Sequence, residues 1–341
     1  YEISACLVGS EMCIRDSAVY DFFERNYKYH VGGIILYDED ITTNPPSLHN
    51  IRSQQQLSSF TNYLQEFSSN SLLIGIDQEG GKVNRLKEIY GFPKTISWSK
   101  LGNINDLKKT ELESNNIAKS LNRCGINVNF SPVLDLDISK DNIISQKDRA
   151  ISSDYKVVFE HAQTSIKCHL DHDVIEVGKH FPGQGSSQGD THQDWVDVSD
   201  TWSDLELRPY NKLIQANNIS AIMTSHLYNK HLDKKYPATL SKKIINDLLR
   251  REMNFKGVVI SDDPQMEAIS SRYKLERIIE LMICAGVDIF CFGNNLVYDP
   301  NIVKKIHNAV LRLLKDQKID VSMLEKSNER IMKLKSKIGL L

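Results

Sequence analysis

Four side chains able to move protons or form strong hydrogen bonds fall within fifteen residues. They are Lys179, His180, Asp190 and His192, in the stretch GKHFPGQGSSQGDTH at 178–192. An apolar run at 174–177 leads into Gly178, and a proline and three further glycines precede the Asp-x-His pair. A core has no use for that mixture. An α/β enzyme, by contrast, delivers reactive groups at a strand end and in the loop beyond it. The one-residue spacing of Asp190 and His192 lets a folded-back loop place the carboxylate on one imidazole nitrogen, fixing the tautomer and freeing the other nitrogen for proton transfer. Two plainer readings compete: an incidental Asp-x-His in a surface loop, and metal ligation by His180, His192 and Asp190. No tight His/Cys cluster such as HExxH completes a ligand set, so neither a metal nor a cofactor is expected.

Length and charge narrow the function class. The chain has 341 residues, 40% of them hydrophobic, enough for a large core, and length alone allows one to three domains. Its 42 basic and 44 acidic residues leave a formal charge of −2, which argues against a nucleic-acid footprint or a polybasic membrane surface. No apolar run of about eighteen residues is present, so no transmembrane span is expected. The six cysteines show no CxxC and no regular spacing, so buried free thiols are expected rather than a disulfide framework or zinc knuckle.

The elements that must position these groups repeat one pattern. Apolar runs at 32–37, 72–76, 126–130, 174–177, 221–226, 257–263 and 288–292 alternate with helical stretches. Ser203 and Glu206 read as a capping box, and Ser241 reads as the cap of a helix with Ile244, Ile245, Leu248 and Leu249 on one face. Seven near-continuous apolar strands, each followed by helical sequence, imply a parallel sheet covered on both faces. A doubly wound open sheet would concentrate its site at one switch point. Here Asp77, Asp135, Lys179, His226 and Asp262 end strand after strand, which favours an α/β fold of the (β/α)8 TIM-barrel type with a single mouth. Neither GxGxxG nor GxxxxGK[ST] occurs, so nucleotide binding lacks its usual signature.

Residues 1–17 stand apart. YEISACLVGSEMCIRDS lacks an initiator methionine, a basic n-region and a clean apolar h-region, and it resembles translated adapter read-through more than a native leader. The expected division is therefore a non-native leader at 1–17 and a single catalytic domain at 18–341. On that reading the native N-terminus is lost and the first barrel strand is missing or replaced, although 3–8 is apolar enough to form a strand.

From residue 32 to 334 the chain resembles glycoside hydrolase family 3, and within it the single-domain bacterial β-N-acetylhexosaminidases. The resemblance rests on GGIILYDED, IDQEGGKVNRL, NVNFSPVLDLD, GKHFPGQGSSQGDTH, YPATLS, GVVISDDPQM and AGVDIF, in that order. It implies a barrel that cleaves terminal β-linked N-acetylglucosamine with retention, through a covalent glycosyl-enzyme. Asp262 matches the nucleophile, and Asp190 with His192 matches the general acid/base dyad of the subgroup. Asp77, Arg85, Arg149, Lys179 and His180 match positions that bind sugar hydroxyls or the N-acetyl group. A histidine suits this role physically, since its ordinary pKa of about 6.5 allows donation to a leaving oxygen near neutral pH.

The implied partner is a carbohydrate from muropeptides or chitin, and peptidoglycan recycling is the implied setting. Cytoplasmic and exported enzymes share the motifs, so neither compartment nor oligomeric state follows from them. Alternatives are a family-3 β-glucosidase, which is expected to carry a second domain that supplies a carboxylic acid, an N-acetylglucosaminide phosphorylase, and an inactive sugar-binding barrel. Among neighbouring residues, Asp263 reads as a cap of the next segment, Glu79 as a buried partner, His226 as pocket-lining or structural, and Trp195 and Trp202 as loop packing. Arg149 lacks the aromatic-containing sequence usual after it, and Gln184 stands where the motif commonly has histidine.

Overall fold

The computed structural model describes residues 6–9, 29–68, 70–191 and 194–341, and of 6–9 the backbone only. The sequence after the leader also reads as helical from 18 to 29, a stretch that lies almost wholly outside the described residues. Eight parallel strands form the central sheet: β1 (Cys6–Gly9), β2 (Gly33–Leu36), β3 (Leu73–Ile76), β4 (Val128–Asn129), β5 (Ile175–Phe181), β6 (Ala221–Thr224), β7 (Val258–Ile260) and β8 (Phe290–Phe292). Their lateral order is β7-β6-β5-β4-β3-β2-β1-β8. Apart from β8 beside β1, neighbours in space are neighbours in sequence, without the reversal that a doubly wound sheet requires.

Register follows the apolar runs. Gly33 lies opposite Leu73 and Leu36 opposite Ile76, while Leu7 pairs with both Gly33 and Cys291. Cys6–Gly9, within the expected leader, thus takes the place of a first strand. The sheet is curled: Ile260 of β7 forms an isolated parallel bridge with Ile289, just before β8, and the Ser261 amide donates to the Ile289 carbonyl at 2.9 Å.

Both faces of the sheet are apolar, which is why the strands read as continuous hydrophobic runs. Ile34, Leu36, Ile74, Ile76, Ile222 and Val259 face the helices, and alternate residues Ile35, Leu73, Ala221, Met223, Val258 and Ile260 build an inner cluster. The covering helices are α1 (Gln54–Phe67), α2 (Leu107–Arg123), α3 (Tyr155–Leu170), α4 (Arg208–Gln215), α5 (Lys243–Glu252, wound as a π-helix), α6 (Leu275–Ala285), α7 (Ile302–Lys315) and α8 (Val321–Ser336). Ile331 and Leu334 of α8, with Ile338 beyond it, join the inner cluster, and Lys337 Nζ reaches Ser220 Oγ just before β6. The last helix therefore covers the N-terminal ends of the strands and leaves the C-terminal ends open.

Local signals behave as their chemistry demands, with one exception. Ser53 and Asp106 cap α1 and α2, and Ser241 Oγ accepts from the Ile244 amide. The exception is Ser203 and Glu206. Ser203 makes no side-chain cap, the segment Asp204–Leu207 is a 3₁₀ turn, and Glu206 points into the protein. A buried donor on another loop, the Gly185 amide, was available to the Glu206 carboxylate, and it outcompetes the local cap.

Candidate active site

At the C-terminal ends of the strands lies a cavity of about 240 Å³. Asp77, Arg85, Arg149, Lys179, His180 and Asp262 all line it, so six of the eight residues expected from sequence converge on one space. Asp190 is half-buried in the loop after β5, next to Thr191, which is buried and lines the cavity. His192 lies outside the described residues.

Lys179 organises the floor. It lies within β5, two residues before its end, with only 2% of its surface exposed, and its ammonium donates to Asp77 Oδ1 at 2.8 Å and contacts Glu79 Oε1 at 2.7 Å. Burial opposes the lysine charge, but the two carboxylates outweigh it and hold the pKa above the ordinary value. Glu79 is engaged a second time by Arg149, whose Nε and terminal nitrogen donate to its two oxygens at 2.8 Å each. Burial alone would raise the Glu79 carboxyl, yet Arg149 and Lys179 reverse this and hold it far below the carboxylate range. Glu79 is therefore the buried partner anticipated from the DQEGG motif. A bidentate pair fixes the Arg149 guanidinium in a plane as well as in position.

A small hairpin supplies Arg85. Gln78–Gly80 pairs antiparallel with Val83–Asn84, and the Gln78 side-chain oxygen accepts from the Arg85 and Leu86 amides. Arg85 then lies 5.8 Å from the Tyr37 ring centre and 3.4 Å from Asp38 Oδ1. Burial would lower its pKa, but Asp77 and Asp38 raise it, so the group stays charged.

His180 is held by a residue that motif reasoning left unassigned. Asp135, fully buried at the turn after β4, accepts from His180 Nδ1 at 2.7 Å, and its other oxygen accepts from the His180 and Gln184 amides. A carboxylate on Nδ1 fixes the proton there and leaves Nε2 as the acceptor, 3.5 Å from the Arg149 terminal nitrogen. The only sequence signal for Asp135 was its place at a strand end in SPVLDLD.

Asp262 follows β7, half-buried, with Oδ1 accepting from the Asp263 amide at 2.8 Å. Asp263 accepts from the Gln265 amide and caps the next turn, as expected. His226 is fully buried, bonded to Thr239 Oγ1 and to the Asp263 carbonyl at 2.8 Å each, so its part is structural. Trp202 donates to the Pro182 carbonyl, and Trp195 packs between Arg272 and Tyr228. Among the described residues no group of three or more His, Cys, Asp or Glu could hold a metal ion, and no helix is long and apolar enough to cross a membrane.

Comparison with known proteins places the chain from β2 through β8 in one family. The model of the glycosyl hydrolase family 3 N-terminal domain matches residues 23–334. A β-hexosaminidase of Nitrosomonas eutropha is 33% identical over 78% of this chain and 74% of its own length. β-Hexosaminidase A of Pseudoalteromonas piscicida is 31% identical over 91% of this chain, which spans only 54% of that protein. Among solved structures, a family 3 β-N-acetylglucosaminidase from Paenibacillus superposes with a TM-score of 0.88 at 27% identity, covering 99% of this chain and 62% of that one. With its family model running through every strand from β2 to β8 and the cavity they open on, the chain belongs to glycosyl hydrolase family 3.

Proposed function

We propose that the chain is a retaining exo-β-N-acetylhexosaminidase that releases terminal β-linked N-acetylglucosamine from muropeptides or chitin-derived oligosaccharides. Asp262 is the nucleophile, and the Asp190/His192 pair is the general acid and base. Asp77, Arg85, Arg149, Lys179 and His180 bind the sugar. The observation that carries this reading is the convergence of Asp262, Lys179, His180, Asp77 and Arg149 on one cavity of about 240 Å³. That space suits one sugar unit rather than a chain, as exo action requires. The hexosaminidase names of the relatives support the substrate class.

In the first step an Asp262 oxygen attacks the anomeric carbon while the bond to the leaving oxygen breaks, and His192 gives that oxygen its proton. In the second, water attacks the same carbon as His192 takes its proton, and the bond to Asp262 breaks. Two inversions give net retention. Lys179 and Arg149, locked in position by Glu79, offer donors whose geometry is set before the substrate arrives. We also read the curled sheet as a closed (β/α)8 barrel, a reading supported by the Ile260–Ile289 bridge.

The test is Asp262→Asn assayed on p-nitrophenyl β-N-acetylglucosaminide, with the β-glucoside as control. The wild type should release p-nitrophenol from the acetylated sugar only, and the variant should lose on the order of 10³-fold or more in kcat. Retained turnover in a folded variant would remove Asp262 from the chemistry.

A further inference from the structure

Glu206, the residue that fails to cap a helix, is 1% exposed and lies beneath the glycine-rich loop after β5. Its Oε2 accepts from the Gly185 amide at 2.7 Å. Burial pushes its carboxyl up to about 7, against the lowering effect of donors on Ser186 and Gly185. The fit is close enough to dictate glycines. A Cβ on Gly183, which sits at φ +117°, would lie 2.5 Å from Glu206 Cβ, and one on Gly185 would lie 2.1 Å from the Leu136 carbonyl oxygen.

Two other side chains hold the same segment. Asp135 accepts from the Gln184 amide at 2.8 Å, and Asn142 Nδ2 donates to Ser187 Oγ at 3.0 Å and to the Gln184 carbonyl. Residues 183–187 are buried throughout, and exposure returns at Gln188, two residues before Asp190. The clamp therefore ends two residues short of Asp190, and the clamped segment fixes the point from which the chain runs on to Asp190 and the buried Thr191.

We propose that Glu206 is a positioning residue for the acid/base loop, acting through Gly185 rather than touching substrate. This rests on the reading of Asp190 and His192 as the acid/base pair. Loss of a positioned acid harms substrates in proportion to how much their leaving group needs a proton. A purely structural role would harm all substrates alike.

The experiment compares kcat/KM on N,N′-diacetylchitobiose, a poor leaving group, with that on 2,4-dinitrophenyl β-N-acetylglucosaminide, a good one. Variants are Glu206→Ala, Glu206→Asp and Glu206→Gln, with His192→Ala beside them and circular dichroism as the check on folding. Glu206→Ala and Glu206→Asp should lose on the order of 10- to 100-fold on the disaccharide and about threefold or less on the dinitrophenyl glycoside. Glu206→Gln, whose amide oxygen can still accept from Gly185, should recover most of the disaccharide activity. If Glu206→Ala does not fold, Glu206→Asp carries the test. Equal losses on both substrates, or no loss on either, overturn the proposal. Leaving-group dependence in His192→Ala but not in the Glu206 variants overturns it and spares the acid/base reading. Its absence from His192→Ala overturns that reading and the proposal with it.

Discussion

Replacing Glu176 by glutamine should remove a loss of stability that the wild type suffers between pH 6.5 and 8. Glu176 and His169 form a buried pair between β5 and α3, with His169 Nδ1 3.3 Å from Glu176 Oε1 and Ser165 Oγ donating to the same oxygen at 3.0 Å. Burial pushes the glutamate up to about 8 and the histidine down to about 4. The native pair thus holds one proton from about pH 4 to about pH 8.

In the unfolded chain the ordinary values of 4.5 and 6.5 apply. Between pH 4.5 and 6.5 the unfolded pair also holds one proton, on histidine, so stability is flat. Above 6.5 the unfolded pair holds none while the native pair holds one, so stability falls as pH rises, by about 1.4 kcal/mol per unit. Over the window to pH 8 the loss is about 2 kcal/mol. The assay is the urea midpoint at constant m-value, at pH 6.5 and 8, for wild type and Glu176→Gln. Glu206, raised to about 7, lowers stability in the same direction, but it does so in both proteins and cancels in the difference. Parallel pH profiles for the two proteins would refute the reasoning.

Two further outcomes follow from the same network logic. Asp288 is buried and accepts from Arg330 at 2.6 and 2.9 Å, from Arg250 at 2.6 Å and from the Val259 amide at 2.8 Å, so Asp288→Ala strands two guanidinium groups. Its denaturant midpoint should fall by the equivalent of about 3 kcal/mol, with an unchanged midpoint counting against the hub. Asp135→Asn frees the His180 tautomer and loosens Gln184, and should lower kcat/KM by on the order of 10-fold or more with the fold intact. Wild-type kinetics in that variant would mean that His180 orients without its carboxylate.

Much of the fold was legible because parallel strands covered on both faces must be apolar throughout, and that is a local property. The seven runs from 32–37 to 288–292 each contain or overlap the strand found there, and the bond from the Ile244 amide to Ser241 is local too. Ser203–Glu206 misled for the same reason: the S-x-x-E pattern is local, but the buried Gly185 amide that donates to Glu206 was not visible in it.

Residue type and spacing along the chain marked out the groups at the strand ends, Asp77, Lys179, His180 and Asp262 among them. Which of them hold one another came with packing. Lys179 meets Asp77 across 102 residues, His180 meets Asp135 across 45, and Arg149 meets Glu79 across 70. Side-chain charge and burial are read from neighbours in space, and chain distance says nothing of them until the sheet curls. That is why the partners of Asp135 and Glu206, and the Glu176–His169 pair, emerged only with the fold. Hydrogen-bond partners and desolvation are properties of a packed interior, not of a string of residues.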